Sequence, residues 1–189
     1  MKFNVHYFIL LISLSFIVAS CSNSRKATNP AHNTNIKSSV VLRKKMAPVY
    51  IDTKNTRAAE LVSFAESLRG TKYKYGGNSK ASGFDCSGFI WYVFKYFSIT
   101  VPRTSADFTN AGKEVSFEMA RRGDIILFTG SDPNSGVVGH MGIITKNNRE
   151  GLSFIHSASG NGKGVMISGM SEYFITRFVK VIRIFPEIN

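Results

Sequence analysis

Residues 84–97 read Phe-Asp-Cys-Ser-Gly-Phe-Ile-Trp-Tyr-Val-Phe-Lys-Tyr-Phe, and this stretch decides the fold. Phe89, Ile90, Val93, Phe94 and Phe97 recur at offsets of three and four, the spacing of one buried face of an α-helix. Asp85 stands just before the run as an N-cap, because a short carboxylate can accept from the unbonded N–H groups of a first turn. Cys86 then falls in that first turn. There the free N–H groups and the positive end of the helix dipole both favour a thiolate. The spacing therefore predicts a core helix that carries a thiol at its opening.

Upstream, Ala59, Leu61, Val62, Ala65 and Leu68 share another helical face, and Gly70 is placed to end it, so a first helix is expected over 55–69. Between the two helices, Thr71 to Phe84 is rich in turn residues and carries Tyr73, Tyr75, Gly76 and Gly77. Downstream, Val101-Pro102-Arg103 breaks the second helix, and a shorter one is expected from Ser105 to Ala111. The remainder reads as strands: Ile125–Thr129, Val137–Thr145, Leu152–Ser157, Val165–Ser168 and Phe178–Phe185, with loops at Gly130–Gly136 and Gly160–Gly164. Helices first and antiparallel strands afterwards predict an α+β domain over 55–189, not a doubly wound sheet.

The N-terminal part has a different character. Met1 and Lys2 lead into an apolar run, broken by Ser13 and Ser15, that ends Val18-Ala19-Ser20-Cys21. One positive charge, a short apolar stretch and small residues at a cut point describe a secretory signal over 1–20. The ending resembles the lipobox of bacterial lipoproteins, and by that resemblance Cys21 is the first mature residue and carries the lipid. Residues 21–54 show no sustained period, and Ser, Asn, Thr and Lys dominate them. They are expected to be a flexible tether, with too little apolar surface to offset the entropy of ordering.

Of 189 residues, 24 are Lys or Arg and 12 Asp or Glu, a formal charge of +12. About half of the excess lies on the tether, where it would face an anionic membrane. That placement argues against a nucleic-acid groove, and the modest excess on the domain suits an acidic wall polymer. The length allows one ordinary domain with a tail. Two cysteines cannot build a disulfide framework or a Cys-rich zinc module.

His6 falls in the signal and His32 in the tether, which leaves the domain one thiol, Cys86, and two imidazoles, His140 and His156. Both histidines stand at strand ends, so neighbouring strands could bring them to one sheet edge. A thiol, a base and a group that orients the base make a nucleophilic constellation. Taken singly, a lone Cys is as readily a small core residue and a strand-end His a hydrogen-bonded polar one. No pair shows short metal-ligand spacing, so neither a metal nor another cofactor is expected.

Six strings in order bear on these alternatives: Gly70-Thr-Lys-Tyr73-Lys-Tyr75-Gly-Gly, Phe84-Asp85-Cys86-Ser87-Gly88-Phe89, Val101-Pro-Arg103-Thr-Ser105, Arg122-Gly123-Asp124-Ile-Ile-Leu-Phe128, Gly139-His140-Met-Gly142-Ile143, and Phe154-Ile-His156-Ser-Ala158. Together they resemble the NlpC family of bacterial cell-wall endopeptidases over about residues 56–185. The resemblance implies a papain-like fold, with the nucleophile helix packed on an antiparallel sheet. It implies Cys86 as nucleophile, His140 as base and acid, and His156 as the group that orients His140. Tyr73 matches the tyrosine that helps bind the oxyanion, with Tyr75 as its competitor. Asp85 and Ser87 flank the nucleophile on the substrate side, while Arg103 and Ser105 match a string that either lines the cleft or supports the fold.

The implied substrate is a peptidoglycan stem peptide, cut at the γ-D-glutamyl-diamino acid bond or at a cross-bridge. A lipid on Cys21 would hold the enzyme at the membrane of the cell envelope, on the periplasmic face of the outer membrane. A catalytically inactive wall-binding module and a thiol acyltransferase or esterase are the other functions the same residues allow. After Ser105 the family often continues with glutamines, whereas this chain has Ala106-Asp107-Phe108, a departure that bears on fine specificity.

Overall fold

The computed structural model of the chain describes residues 49–160 and 163–186. All of them belong to the compact unit Arg43–Asn189. The signal expected over 1–20, the lipidation at Cys21 and the tether as far as residue 48 lie outside the described residues.

Among these residues the elements are α1 (Ala58–Ser67), β1 (Asn78–Ser79), β2 (Gly83–Phe84), α2 (Cys86–Tyr96), a 3-10 turn at Asp107–Asn110, β3 (Lys113–Val115), β4 (Ile125–Thr129), β5 (Val138–Asn148), β6 (Gly151–Ser157), β7 (Val165–Gly169), α3 (Glu172–Ile175) and β8 (Phe178–Arg183). β1 and β2 form a small hairpin, and the other six strands make one antiparallel sheet in the order β3-β8-β4-β5-β6-β7.

Alternation along the strands sorts the core into two sets. Ile125, Leu127, Met141, Ile143, Ile155 and Ile182 pack with α1 and α2 residues, among them Leu61, Val62, Ala65, Phe89, Ile90, Val93 and Phe94. Ile126, Phe128, Ile144, Phe154 and Val181 form a second cluster, which Phe174 of α3 and Phe178 join from its edge. α2 rests on β5 and β6. Against α2 lies α1, where the ring of Phe64 stacks on Tyr96 with centroids 3.8 Å apart. Each fully buried apolar side chain of this size contributes about 1.5–3 kcal/mol, so the α2 face holds the larger share of the fold's stability.

A buried ion pair ties the sheet together. The Arg183 guanidinium donates to both carboxylate oxygens of Asp124, at 3.0 and 2.9 Å, and to the Met119 carbonyl at 2.7 Å. Asp124 also accepts from the N–H of Arg121 at 2.7 Å, which fixes the turn that launches β4.

The chain is already packed on the domain at Val49, earlier than the boundary at 55 read from the sequence. The Val49 N–H donates to Asn110 and its carbonyl accepts from Gly112, while Ile51 is 5% and Thr53 8% exposed. Tyr50, Ile51, Asp52 and Thr53 alternate exposed and buried as a strand would, but so short a run carries too little periodicity to separate it from a tether. Three further elements escape the sequence reading for the same reason: the β1–β2 hairpin, β3 and α3 are two to four residues long. The helix expected over 105–111 is a 3-10 turn of four residues.

Candidate active site

Asp85 is the N-cap of α2 and Cys86 its first residue. Asp85 Oδ1 accepts from the Gly88 N–H at 2.5 Å and from the Ser87 hydroxyl at 3.3 Å. Arg103 braces the same turn, donating to Ser87 Oγ at 3.0 Å and to the Gly76 carbonyl at 3.4 Å, with its guanidinium 3.5 Å from Asp85 Oδ2. Asp85, Ser87 and Arg103 thus form one network behind Cys86, a bracing role. Ser105 is half-buried, and it is not among the residues lining the cleft. Glycine is required at 88, because a Cβ there would stand 2.0 Å from the Gly77 carbonyl oxygen.

The opposite wall comes from the sheet. β4 and β5 pair Phe128 with His140 but Thr129 with Val138, so Gly139 is the extra residue of a β-bulge. The bulge leaves the Gly139 carbonyl to face Cys86, whose Sγ donates to it at 3.8 Å. A Cβ on Gly139 would meet Gly130 Cα at 2.7 Å. His140 follows the bulge, on the sheet face of Phe128 and Phe154. Its Nε2 lies 2.8 Å from His156 Nδ1, and His156 Nε2 lies 2.9 Å from Ser168 Oγ. The two imidazoles meet edge to face with centroids 5.0 Å apart. Phe174 of α3 closes over both, 6.4 Å from the ring of His140 and 5.5 Å from that of His156. Gly142 leaves room for this arrangement, since a Cβ there would stand 3.3 Å from His156 Cβ.

Cys86, His140 and Tyr73 line one cleft of about 170 Å³, together with Gly130, Ser131, Tyr173 and Arg177. The loop before His140 therefore contributes to the cleft wall. A second cavity of about 400 Å³ adjoins it beyond the histidines and is lined by His156, Lys163, Ser168, Ser171 and Tyr173. The two tyrosine candidates separate cleanly: Tyr73 lines the cleft, whereas Tyr75 is 89% exposed.

Burial governs the electrostatics. It lowers the His140 pKa to about 4. Burial, followed by His140 and Lys163, lowers that of His156 to about 3. Both rings are therefore neutral at pH 7. Burial also raises the Cys86 pKa, and Asp85 adds to the rise; the N–H groups of Ser87 and Cys86 and the Arg103 charge offset only part of it. The helix terminus pulls toward a thiolate as the sequence suggests, but desolvation is stronger and the resting group is a thiol. The Tyr73 pKa is raised by burial first and then by neighbouring charge, that of Asp85 among it, which keeps its hydroxyl a donor. Among the described residues no three His, Cys, Asp or Glu side chains converge as a metal site would need.

Four contributors were missed from the sequence. Gly139 touches Cys86, Ser168 and Phe174 touch His156, and Arg177 lines the cleft while lying over the Tyr173 ring at 3.9 Å. Ser171 followed by Glu172 and an apolar pair is a weak helix-start signal for α3; Ser168, one hydroxyl on a short strand, offers none.

Residues 70–183 match the model of the NlpC/P60 family. The chain belongs to the NlpC/P60 family. It is 42% identical over 119 residues to the probable peptidoglycan endopeptidase LytE of Bacillus subtilis, covering 61% of this chain and 31% of that protein. Over 119 residues it is 35% identical to the murein DD-endopeptidase MepS/murein LD-carboxypeptidase of Escherichia coli, covering 61% of this chain and 57% of that one. The crystal structure of an NlpC/P60 family protein from Bacillus cereus superposes with a TM-score of 0.63 at 29% identity, covering 71% of this chain and 42% of the other. The chain thus spans from about a third to somewhat over half of the length of these curated relatives. The NlpC/P60 fold, a helix packed on an antiparallel sheet, is the one expected from the sequence.

Proposed function

We propose that this NlpC/P60 protein is a cysteine endopeptidase that hydrolyses amide bonds in peptidoglycan stem peptides during wall remodelling. The observation that carries the reading is that Cys86 and the hydrogen-bonded His140 meet in one cleft with Tyr73 on its wall. Because His140 Nε2 is engaged by His156, Nδ1 is the ring nitrogen left to serve the thiol. A neutral imidazole beside a neutral thiol supports proton transfer in step with attack, without a standing ion pair. The Sγ–H turns from the Gly139 carbonyl toward His140 Nδ1, which takes the proton as sulfur bonds to the substrate carbonyl carbon.

The carbonyl electron pair moves onto oxygen, where the Cys86 N–H and the Tyr73 hydroxyl donate to it. The C–N bond then breaks, and His140 returns its proton to the leaving amine. Water attacks the thioester with its proton passing to His140, and collapse expels the sulfur, which regains the proton. No cofactor enters these steps.

The γ-D-glutamyl-diamino acid bond is the expected target. The name of the E. coli relative, a DD-endopeptidase, favours a cross-bridge bond as the second reading. The Val18-Ala19-Ser20-Cys21 ending supports a lipid on Cys21 that holds the enzyme at the envelope membrane, on the periplasmic face of the outer membrane. Several acyl chains, at about 0.8 kcal/mol per buried CH₂, would make that attachment effectively permanent. Mass analysis of muropeptides released from purified sacculi tests both activity and bond. Soluble fragments should appear with the native chain and vanish with Cys86→Ala; release by the variant would overturn the proposal.

A further inference from the structure

We propose that Ser168 is a positioning residue of this site, the hydroxyl that decides which nitrogens of His156 and His140 carry protons. The inference deepens the peptidase reading and rests on it. Ser168 lies on β7, directly across from Phe154 on β6, which puts it on the diagonal from His156 and on the same sheet face. Its Oγ is 2.9 Å from His156 Nε2, and the other nitrogen of that ring is 2.8 Å from His140 Nε2. Five polar atoms therefore form one chain that ends at His140 Nδ1, the nitrogen left for the thiol.

A neutral imidazole has one N–H, so the chain has two self-consistent arrangements. In the first, His156 Nε2–H donates to Ser168 Oγ, His156 Nδ1 accepts from His140 Nε2–H, and His140 Nδ1 presents a lone pair. In the second, the Ser168 hydroxyl donates to His156 Nε2, His156 Nδ1–H donates to His140 Nε2, and His140 Nδ1 bears the hydrogen. Only the first can take a proton from Cys86. Burial, which holds both rings neutral at pH 7, makes this choice of tautomer consequential.

A carboxylate often settles such a choice because it can only accept. Here a hydroxyl stands in that position, and among the described residues the charge that bears on His156 is the cationic Lys163. Ser168 is half-buried on the wall of the 400 Å³ cavity beyond the histidines. Its hydrogen can be donated into that space while its oxygen accepts from His156 Nε2–H, and only this first arrangement survives proton uptake at His140, because the second would then set His140 Nε2–H against His156 Nδ1–H. Without the oxygen, His156 Nε2 no longer needs its hydrogen and the pair is free to adopt the unproductive arrangement.

The test is Ser168→Ala and Ser168→Thr in the full chain purified in detergent. Ser168→Ala should lower kcat about 10- to 100-fold with KM held within about twofold, and Ser168→Thr should restore most of the loss. In ¹⁵N-histidine spectra of the resting wild-type protein, Nε2 should be the protonated nitrogen in both rings. In Ser168→Ala, a protonated Nδ1 should appear on His140. A kcat within about twofold of wild type for Ser168→Ala, or a protonated Nδ1 on His140 in the wild type, overturns the proposal. Equal losses in the Ala and Thr variants overturn it as well. The spectra need no turnover, so a wild-type chain that cuts no wall refutes the peptidase reading while the tautomer assignment stands or falls by itself.

Discussion

The two walls of the cleft are built in different ways. The cysteine wall is local: Asp85, Cys86, Ser87 and Gly88 are consecutive, and one side chain from outside, Arg103, locks their turn. The histidine wall is assembled from four successive elements that must pair in register, with Gly139 and His140 on β5, His156 on β6, Ser168 on β7 and Phe174 on α3. The first wall needs only a helix start to exist, whereas the second exists only when the sheet is closed in register. Damage to the first should be confined to the turn, and damage to the second should couple chemistry to folding.

The largest effect expected from this contrast is on catalysis. Cys86→Ala and His140→Ala should each lower kcat/KM about 10⁴-fold or more, and combining them should cost little beyond either alone, because the two act as one unit. Steady-state release of a defined muropeptide by the single and double variants checks this. Multiplied losses would mean that the walls act independently.

Next is the pH dependence of stability, which should come from the histidine wall. His140 and His156 have pKa values lowered to about 4 and about 3 in the folded chain, against 6.5 for an unperturbed ring. The unfolded chain therefore binds more protons as pH falls below 6.5. Stability should be whole above that value and decline as pH drops toward 4 and then 3, by on the order of a few kcal/mol. Urea unfolding between pH 7 and 4 measures it, and a His140→Gln, His156→Gln double variant should flatten this part of the profile.

Glycine substitutions sharpen the contrast at smaller cost. Gly88→Ala drives a Cβ to 2.0 Å from the Gly77 carbonyl oxygen, part of the backbone, and should cost about 2–3 kcal/mol. Gly142→Ala meets the Phe154 ring edge at 2.6 Å and His156 Cβ at 3.3 Å. It should cost less stability but more activity, because the neighbour that yields is part of the histidine wall. The smallest effect is Asp85→Ala, which removes the cap of α2 and should cost about 1 kcal/mol by chemical denaturation.

This contrast also explains what could be read without coordinates. The helix at Cys86, its Asp85 cap and strand β4 at Ile125–Thr129 appear where periodicity and capping put them, because those signals lie within a few adjacent residues. β3 and α3 are too short to leave a period, yet α3 supplies the ring that covers both histidines. The bulge at Gly139 depends on a mismatch between two strands, and neither strand encodes it alone. Tyr73 and Tyr75 are equivalent as letters; in the fold one lines the cleft and the other faces solvent.

By itself the sequence determined the α+β order of elements, a thiol at a helix start and two imidazoles at strand ends. Those follow from local spacing and from the residue types present. Only the tertiary structure decided that the thiol rests protonated, that Arg103 braces the turn at Cys86 and that Ser168 ends the histidine chain. Those outcomes depend on burial and on contacts between residues far apart in the chain. Desolvation and hydrogen-bond geometry are properties of the assembled surroundings, which no single segment carries.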